Sequence, residues 1–257
     1  MDYLKSFIMM EKRKGDFMKL AFISDIHGNA IALDAVLEDI QNKGVEETIV
    51  LGDIAYRGPE PKRSIELVRK HSTQIIKGNA DEWVVRGVEK GEVPDKALAL
   101  MQKEADWTKN QLSEEDINFL NDLDTELIIK AGNKKIHAFH ATPNSLFDVV
   151  NPNDSNEKLL AELTQKEKAD VYLYGHIHQA YSRVIIGKRI INLGSVGLPF
   201  DGIPEASYVL VEVSNNSLQT SHVRVPYSIE KAIQMYDEVD YPNKEMMKEI
   251  VRNGEIS

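Results

Sequence analysis

The feature that most constrains the fold is a series of short apolar runs, each ending at a carboxylate or an amide. The runs are KLAFIS before Asp25, TIVLG before Asp53 and TQIIKG before Asn79. Helical patterns separate them, over Ala30–Ile40 and from Pro61 to about Lys70. Strands that alternate with helices predict a parallel sheet with ligand-binding side chains beyond the carboxyl ends of its strands.

The rest of the chain departs from this alternation in two ways. Residues from about 80 to 122 contain no good strand pattern, and we interpret them as a helical insertion in which Ser113 and Asp116 start a helix. Beyond it, turns at Gly132-Asn133 and near Gly187 predict antiparallel hairpins. Two further strands and a helix from about Ser228 to Val239 complete an α/β fold.

Charge and cysteine content exclude several classes of protein. The 257 residues include 31 Lys and Arg against 41 Asp and Glu, which gives a formal net charge of −10. Stable nucleic-acid binding is not expected, because it depends on a positive field. Cysteine is absent, which excludes disulfides, thiolate metal sites and a cysteine nucleophile.

The N-terminal residues 1–17 precede the first patterned strand. Their apolar residues come before the charges Glu11 to Lys14, the reverse of a signal peptide, and no apolar run is long enough for a membrane span. We expect an extension that is unordered, with an ordinary helix as the alternative. Residues 18–257 are expected to form one domain of a cytoplasmic protein that has no membrane partner.

The polar side chains at the strand ends are typical metal ligands. They are Asp25, His27, Asp53, Asn79, His140, His176 and His178. Carboxylate, amide and imidazole donors without thiolate suit Mn, Fe, Zn, Ni or Co. Because seven donors are too many for one ion, we expect two divalent ions with a bridging ligand between them.

The joint occurrence of these fragments is more specific than any one of them. In order they read D-x-H, G-D, G-N, H and G-H-x-H, and together they resemble the calcineurin-like metallophosphoesterase superfamily from Leu20 to about Gly202. The fuller forms SDIHGN, GDIAYRGP, HATPNS and NLGSVG are most similar to its small bacterial and archaeal phosphodiesterase-like branch.

The resemblance implies a fold and a role for each ligand. The implied fold is a four-layer α/β/β/α sandwich of two mixed sheets. The implied first metal site has Asp25, His27 and His178, the second has Asn79, His140 and His176, and Asp53 bridges both. A water between two such cations becomes hydroxide near neutral pH and attacks phosphorus, with Mn the favoured metal.

One position departs from the family pattern. Many members have His after the Gly-Asn pair, as a proton donor to the leaving oxygen, whereas this chain has Ala80 followed by Asp81. We expect Asp81 to support a metal ligand or to replace the missing acid. Arg57 is a candidate for catalysis and substrate binding, and Asn79 and Asn144 are candidates for contacts with substrate.

These observations predict an enzyme that hydrolyses small phosphate esters, and a phosphodiesterase more than a monoesterase. The alternative is a non-catalytic interaction scaffold on the same fold, as in the retromer scaffold subunit. The retention of all seven predicted ligands favours the enzyme. The natural substrate, the physiological metals and the oligomeric state are left open by the sequence.

Overall fold

Two β-sheets packed face to face form the centre of the structure, a computed structural model that describes residues 6–10, 18–214 and 217–255. The strands of the first sheet are β2 (Met18–Ile23), β3 (Glu47–Val50), β4 (Gln74–Ile75), β10 (Ala206–Val213) and β11 (Leu218–Val225). Their order is β11-β10-β2-β3-β4. Strands β2, β3 and β4 are parallel, as predicted, so their carboxyl ends meet at one edge.

The second sheet is also mixed. Its strands are β1 (Ser6–Met10), β5 (Glu126–Ala131), β6 (Lys134–Phe139), β7 (Val171–Tyr174), β8 (Tyr181–Ile185) and β9 (Lys188–Asn192). Their order is β1-β5-β6-β7-β9-β8. The two predicted hairpins are the antiparallel pairs β5–β6 and β8–β9, while β6, β7 and β9 are parallel.

Helices cover the outer faces of both sheets. They are α1 (Ala30–Asn42), α2 (Pro61–His71), α3 (Asn79–Arg86), α4 (Asp95–Asn110), α5 (Glu114–Asn121), α6 (Asn156–Leu163), α7 (Ile229–Glu238) and α8 (Lys244–Asn253). Helices α3 to α5 form the predicted insertion, and the Ser113 side chain caps α5 as expected. The sequence analysis did not predict α8.

The apolar core confirms the four-layer arrangement. Side chains such as Phe22 and Leu173 are fully buried between the two sheets. A second apolar cluster joins the outer face of the first sheet to α1 and α2, and a third joins the outer face of the second sheet to α6. Each large apolar side chain buried in this way contributes about 1.5–3 kcal/mol.

The predicted N-terminal extension includes one strand. Ser6–Met10 pairs in parallel with Glu126–Ala131 at the edge of the second sheet. Residues 1–5 and 11–17 lie outside the described part of the chain, so the expectation for them remains a prediction. Across the described ranges, none of the helices has both the length and the apolar character needed to cross a membrane.

Candidate metal centre

The strand ends of both sheets bring the seven predicted ligands together at one edge of the sandwich. Asp25 and His27 follow β2, Asp53 follows β3, and Asn79 is the first residue of α3. His140 follows β6, and His176 and His178 follow β7. Six of these residues are buried and His176 is partly exposed. Since the carboxyl ends of parallel strands meet, residues distant in sequence become neighbours here.

One group of donor atoms comes from four residues. One oxygen or nitrogen from each of Asp25, His27, Asp53 and His178 lies within 4.8 Å of the other three. His178 Nε2 is 3.2 Å from Asp25 Oδ1, and His27 Nε2 is 3.5 Å from Asp53 Oδ2. The donors therefore surround a small volume of the size that a single cation needs.

A second group lies on the other side of Asp53. Asn79 Oδ1 is 2.9 Å from His140 Nε2 and 2.7 Å from His176 Nδ1. His140 Nε2 is 3.4 Å from Asp53 Oδ2, the same oxygen that faces His27. The two groups thus share one carboxylate oxygen, as a bridging role for Asp53 requires.

Backbone carbonyls fix which nitrogen of three histidines faces the cluster. The Nδ1–H of His27 donates to Tyr56 O at 2.8 Å. His140 and His178 donate in the same way to Leu51 O and Leu198 O, each at 2.6 Å. Because a carbonyl only accepts, Nδ1 carries a proton, so in the neutral ring it is Nε2 that presents a lone pair. The sequence could not have indicated these carbonyl partners.

The facing lone pairs indicate what the site is built to hold. His27 Nε2 and His178 Nε2 lie 3.1 Å apart although both rings donate through their Nδ1 atoms. Two lone pairs at this distance repel each other unless a cation or a shared proton lies between them. Imidazole, carboxylate and amide donors are borderline to hard ligands, so this arrangement fits divalent first-row transition metals.

The backbone at the site is strained. Positive φ angles occur at Asp25 (55°), His27 (48°), Asp53 (56°), His176 (70°) and His178 (56°). Left-handed backbone is uncommon for residues other than glycine, and each instance costs on the order of 1–3 kcal/mol. Five of the seven predicted ligands therefore hold conformations that the surrounding fold must impose.

Two glycines allow the carboxylates to approach the backbone closely. A Cβ atom at Gly78 would lie 2.1 Å from Asp53 Oδ1, and one at Gly175 would lie 2.5 Å from Asp25 Oδ2. Both distances are far below van der Waals contact. Only glycine fits these positions while the two carboxylates keep their places.

The residues after Asn79 support Asp53. The Ala80 N–H donates to Asp53 Oδ1 at 2.8 Å, which leaves Oδ2 for the cluster. Asp81 is fully buried, and its carboxylate accepts the N–H groups of Asp53, Ile54 and Gly78 at 2.8–2.9 Å. Both Asp81 oxygens are thus occupied by the backbone that carries the proposed bridging ligand.

The electrostatics of the site favour mixed protonation states. Burial opposes protonation of His140, but the carboxylates of Asp53 and Asp25 outweigh it and raise its pKa to about 9. Burial and neighbouring imidazoles lower the pKa values of His27 and His176 to about 4. Burial and the Asp53 carboxylate raise the pKa of Asp81 to about 7, against its three N–H donors. Groups shifted in opposite directions within one cluster are typical of functional sites.

Two further predicted site residues, Arg57 and Asn144, lie outside the two donor groups. Arg57 has a positive φ of 70° and its Nε atom lies 3.6 Å from Glu104 Oε2 of the insertion. The Asn144 side chain is exposed in the loop after His140, and no hydrogen bond joins it to another residue of the described ranges. The structure thus places Arg57 next to Glu104 of the insertion, whereas the Asn144 side chain faces solvent.

Comparisons with known proteins agree with this geometry. MJ0912, an uncharacterized protein of Methanocaldococcus jannaschii, is 31% identical over 234 residues, covering 84% of this chain and 90% of that protein. The phosphodiesterase YfcE of Escherichia coli is 27% identical over 205 residues, covering 76% of this chain and 88% of YfcE. The crystal structure of a metallophosphoesterase from Sphaerobacter thermophilus has a TM-score of 0.74 and 26% identity, covering 93% of this chain and all of that one.

The match to the family is continuous along the chain. The sequence model of the calcineurin-like phosphoesterase superfamily domain matches residues 18–216, a range that includes all seven predicted ligands and the whole insertion. Helices α7 and α8 lie beyond the matched range. On the strength of this match, the chain belongs to the calcineurin-like phosphoesterase superfamily.

Proposed function

We propose that this protein is a phosphodiesterase that works with two divalent metal ions. The observation that carries the proposal is the pair of donor groups that share Asp53 Oδ2. Asp25, His27 and His178 would hold one ion, and Asn79, His140 and His176 the other. Four of the seven residues are histidines. Five of the seven have strained backbone, and a bound ligand would offset the free-energy cost of that strain.

The chain's own residues position the reactants. Bound ions of this type make a water molecule acidic and neutralise charge on phosphate oxygens. Asp53 keeps its shared oxygen in the cluster because Ala80 N–H holds the other one. The backbone carbonyls opposite His27, His140 and His178 hold the proton of each neutral ring on Nδ1, so Nε2 is the atom that each ring would offer to an ion.

Asp81 acts through Asp53 in this proposal. Its oxygens are occupied by three backbone N–H groups, and this arrangement supports a positioning role more than proton donation to a leaving group. Arg57 is the proposed contact for a phosphate oxygen, because a guanidinium matches the geometry of an oxyanion. Asn144 is proposed as a secondary contact from the loop that follows His140.

Two observations bear on the substrate class. The position that carries a His acid in many family members is Ala80, so an alkoxide leaving group receives no proton from an imidazole at this position, which favours aryl over alkyl esters. YfcE, the relative that aligns with 76% of this chain, is named as a phosphodiesterase. We propose small phosphate diesters as the substrate class and Mn²⁺ as the activating metal. A cytoplasmic location fits the absence of cysteine.

The experiment combines metal analysis with hydrolysis. The protein is stripped with chelator, reloaded with Mn²⁺, and assayed with bis(4-nitrophenyl) phosphate and 4-nitrophenyl phosphate, while plasma mass spectrometry counts bound ions. We expect about two ions per chain and a higher kcat/KM for the diester. A loaded protein that hydrolyses neither ester would contradict the proposal and favour a scaffold role.

A further inference from the structure

The helical insertion carries a carboxylate in an unusual environment. Glu104, near the middle of α4, is completely buried. A buried carboxylate is costly unless charged or hydrogen-bonding groups surround it. Its Oε2 atom lies 3.6 Å from Arg57 Nε and 3.5 Å from the Tyr56 hydroxyl, while Oε1 has no hydrogen-bond partner in the described ranges. Glu104 is therefore directed at the short segment Tyr56-Arg57, and the side chain of Asn243 also lies close to its carboxylate.

That segment is connected to the metal centre. The carbonyl of Tyr56 accepts the Nδ1–H of His27 at 2.8 Å, and the next residue is Arg57. The carbonyl of Arg57 accepts the hydroxyl of Tyr236, from α7, at 3.1 Å. The backbone of the segment is thus held on both sides, so the remaining freedom of Arg57 is in its side chain.

The Arg57 guanidinium has donors that the protein does not use. Its Nε atom is buried without a hydrogen-bond partner, and its side chain donates no hydrogen bond to any residue in the described part of the chain. About 17% of the side chain is exposed. Glu104 lies at ion-pair distance from Arg57 but accepts no hydrogen bond from it. It can therefore orient the guanidinium while the N–H groups of Arg57 stay available to an oxyanion.

We propose that Glu104 is a positioning residue that fixes Arg57 for contact with the substrate phosphate. This inference rests on the proposed function, since it takes Arg57 as the phosphate contact. It assigns to the insertion a specific role: α4 supplies the charge that orders a long, flexible side chain before substrate arrives. Ordering Arg57 in advance removes part of the entropy loss on binding, so Glu104 should act on affinity.

The test is Glu104→Gln in the Mn²⁺-loaded protein, with Thr108→Val as a matched control. Thr108 is also buried on α4, and among the described residues its hydroxyl bonds only to Glu104 O, within the same helix. We expect Glu104→Gln to raise KM for bis(4-nitrophenyl) phosphate about tenfold with kcat little changed, the pattern of lost uniform binding. Thr108→Val should leave KM unchanged, and both variants should keep the wild-type metal content.

A double-mutant cycle separates positioning from general loosening of the fold. In the Arg57→Ala background, Glu104→Gln should no longer weaken binding, because the side chain it positions is gone. An equal loss in that background, an unchanged or lower KM for Glu104→Gln, or the same loss in Thr108→Val would each overturn the proposal.

Calorimetry with inorganic phosphate distinguishes this proposal from the function on which it rests. Phosphate binding to the Mn²⁺-loaded protein needs no turnover, so it can be measured for wild type and Glu104→Gln in either case. If wild type hydrolyses no ester, the proposed function fails. About tenfold weaker phosphate binding by Glu104→Gln would still support the positioning role, and equal binding would reject it.

Discussion

The carboxylate of Asp81 holds the backbone of Asp53 in place, with Asp81 Oδ2 accepting the Asp53 N–H at 2.8 Å. The same carboxylate accepts the N–H groups of Ile54 and Gly78, and so joins the loop after β3 to the start of α3. Both residues are buried. One side chain therefore fixes the two segments that together orient the proposed bridging ligand.

Asp81→Asn tests this relationship. An amide has one acceptor oxygen and a donor NH₂ group, so at least one buried backbone N–H would face another donor. We expect a loss of roughly 1–3 kcal/mol of stability and metal affinity about 10-fold to 100-fold weaker, measured by urea unfolding and metal titration. Asp116→Asn is the control, because Asp116 accepts the N–H of Ser113 at the start of α5 as Asp81 accepts that of Gly78 at α3, but it supports no predicted ligand. Equal metal affinity in the two variants would contradict a role for Asp81 at the site.

Asp53→Asn should remove metal while leaving the fold intact. The substitution removes the charge of the oxygen that both donor groups share, and this core does not depend on metal as a zinc finger does. We expect the variant to lose at least one ion and nearly all of its hydrolytic activity. Its circular dichroism spectrum should be unchanged. The control is Asp170→Asn. Asp170 directly precedes β7, and its carboxylate forms an ion pair with Lys134. Wild-type turnover with two ions bound would show that Asp53 does not bridge.

The leaving group should determine the rate because residue 80 is alanine. Loss of general acid catalysis costs about 100-fold to 10,000-fold, and it affects alkoxides more than stable phenolates. We expect kcat/KM for an aryl diester to be at least about 100-fold higher than kcat/KM for a simple alkyl monoester. Rates of similar size for the two esters would show that another group donates the proton.

The packing around Ala80 limits what a histidine at this position can restore. Ala80 is 1% exposed and packs in the core cluster of the first sheet, so little room is left for a larger side chain. Ala80→His would overpack this region at about 1–3 kcal/mol. If the variant folds, as its unfolding curve would show, we expect a selective gain for the alkyl monoester. No gain in a folded variant would exclude a simple restoration of the acid.

His222 should make stability depend on pH. Burial and the neighbouring Arg224 lower its pKa below the usual 6.5, so the folded state favours the neutral ring. Its contribution is fully present above pH 6.5 and is lost as pH falls towards the folded pKa, because the unfolded chain binds the proton more readily. We expect the melting temperature of wild type, relative to His222→Gln, to fall between pH 7 and 5. A constant difference would contradict the shift.

Removing residues 1–17 should spare the candidate metal site. Strand β1 pairs only at the outer edge of the second sheet, on β5, whereas the predicted ligands follow β2, β3, β6 and β7 or begin α3. We expect a chain that begins at Met18 to keep its ions and its kcat/KM, with a melting temperature lower by a few degrees. Loss of bound metal would show that the N-terminal strand supports the site.

The strand ends were the part of the site that the sequence could predict. Asp25, Asp53 and Asn79 each follow an apolar run, and parallel pairing then forces them together. His140 and His176 likewise follow apolar strands, which the structure places in the second sheet as β6 and β7. Periodicity and turn chemistry are local signals, so they predicted the hairpins and the insertion as well.

Other features depend on contacts that no local pattern reveals. The partners of the histidine Nδ1 atoms are carbonyls from remote loops, and the direction of Glu104 depends on how α4 packs against Tyr56. Helix α8 is a different case, because a signal was present: Met247, Ile250 and Val251 have helical spacing and Gly254 ends the helix in a left-handed conformation. It could have been predicted from that spacing.

The left-handed backbone at the donor residues has a consequence for directed evolution. Relaxing five such positions would release several kcal/mol, of the order of the whole stability of a small domain. A screen that selects only for survival at high temperature, with metal withheld, should therefore accumulate glycine at Asp25, His27 or Asp53. Such variants would gain heat tolerance and lose metal binding, so a library made from this chain should be screened with divalent ions present.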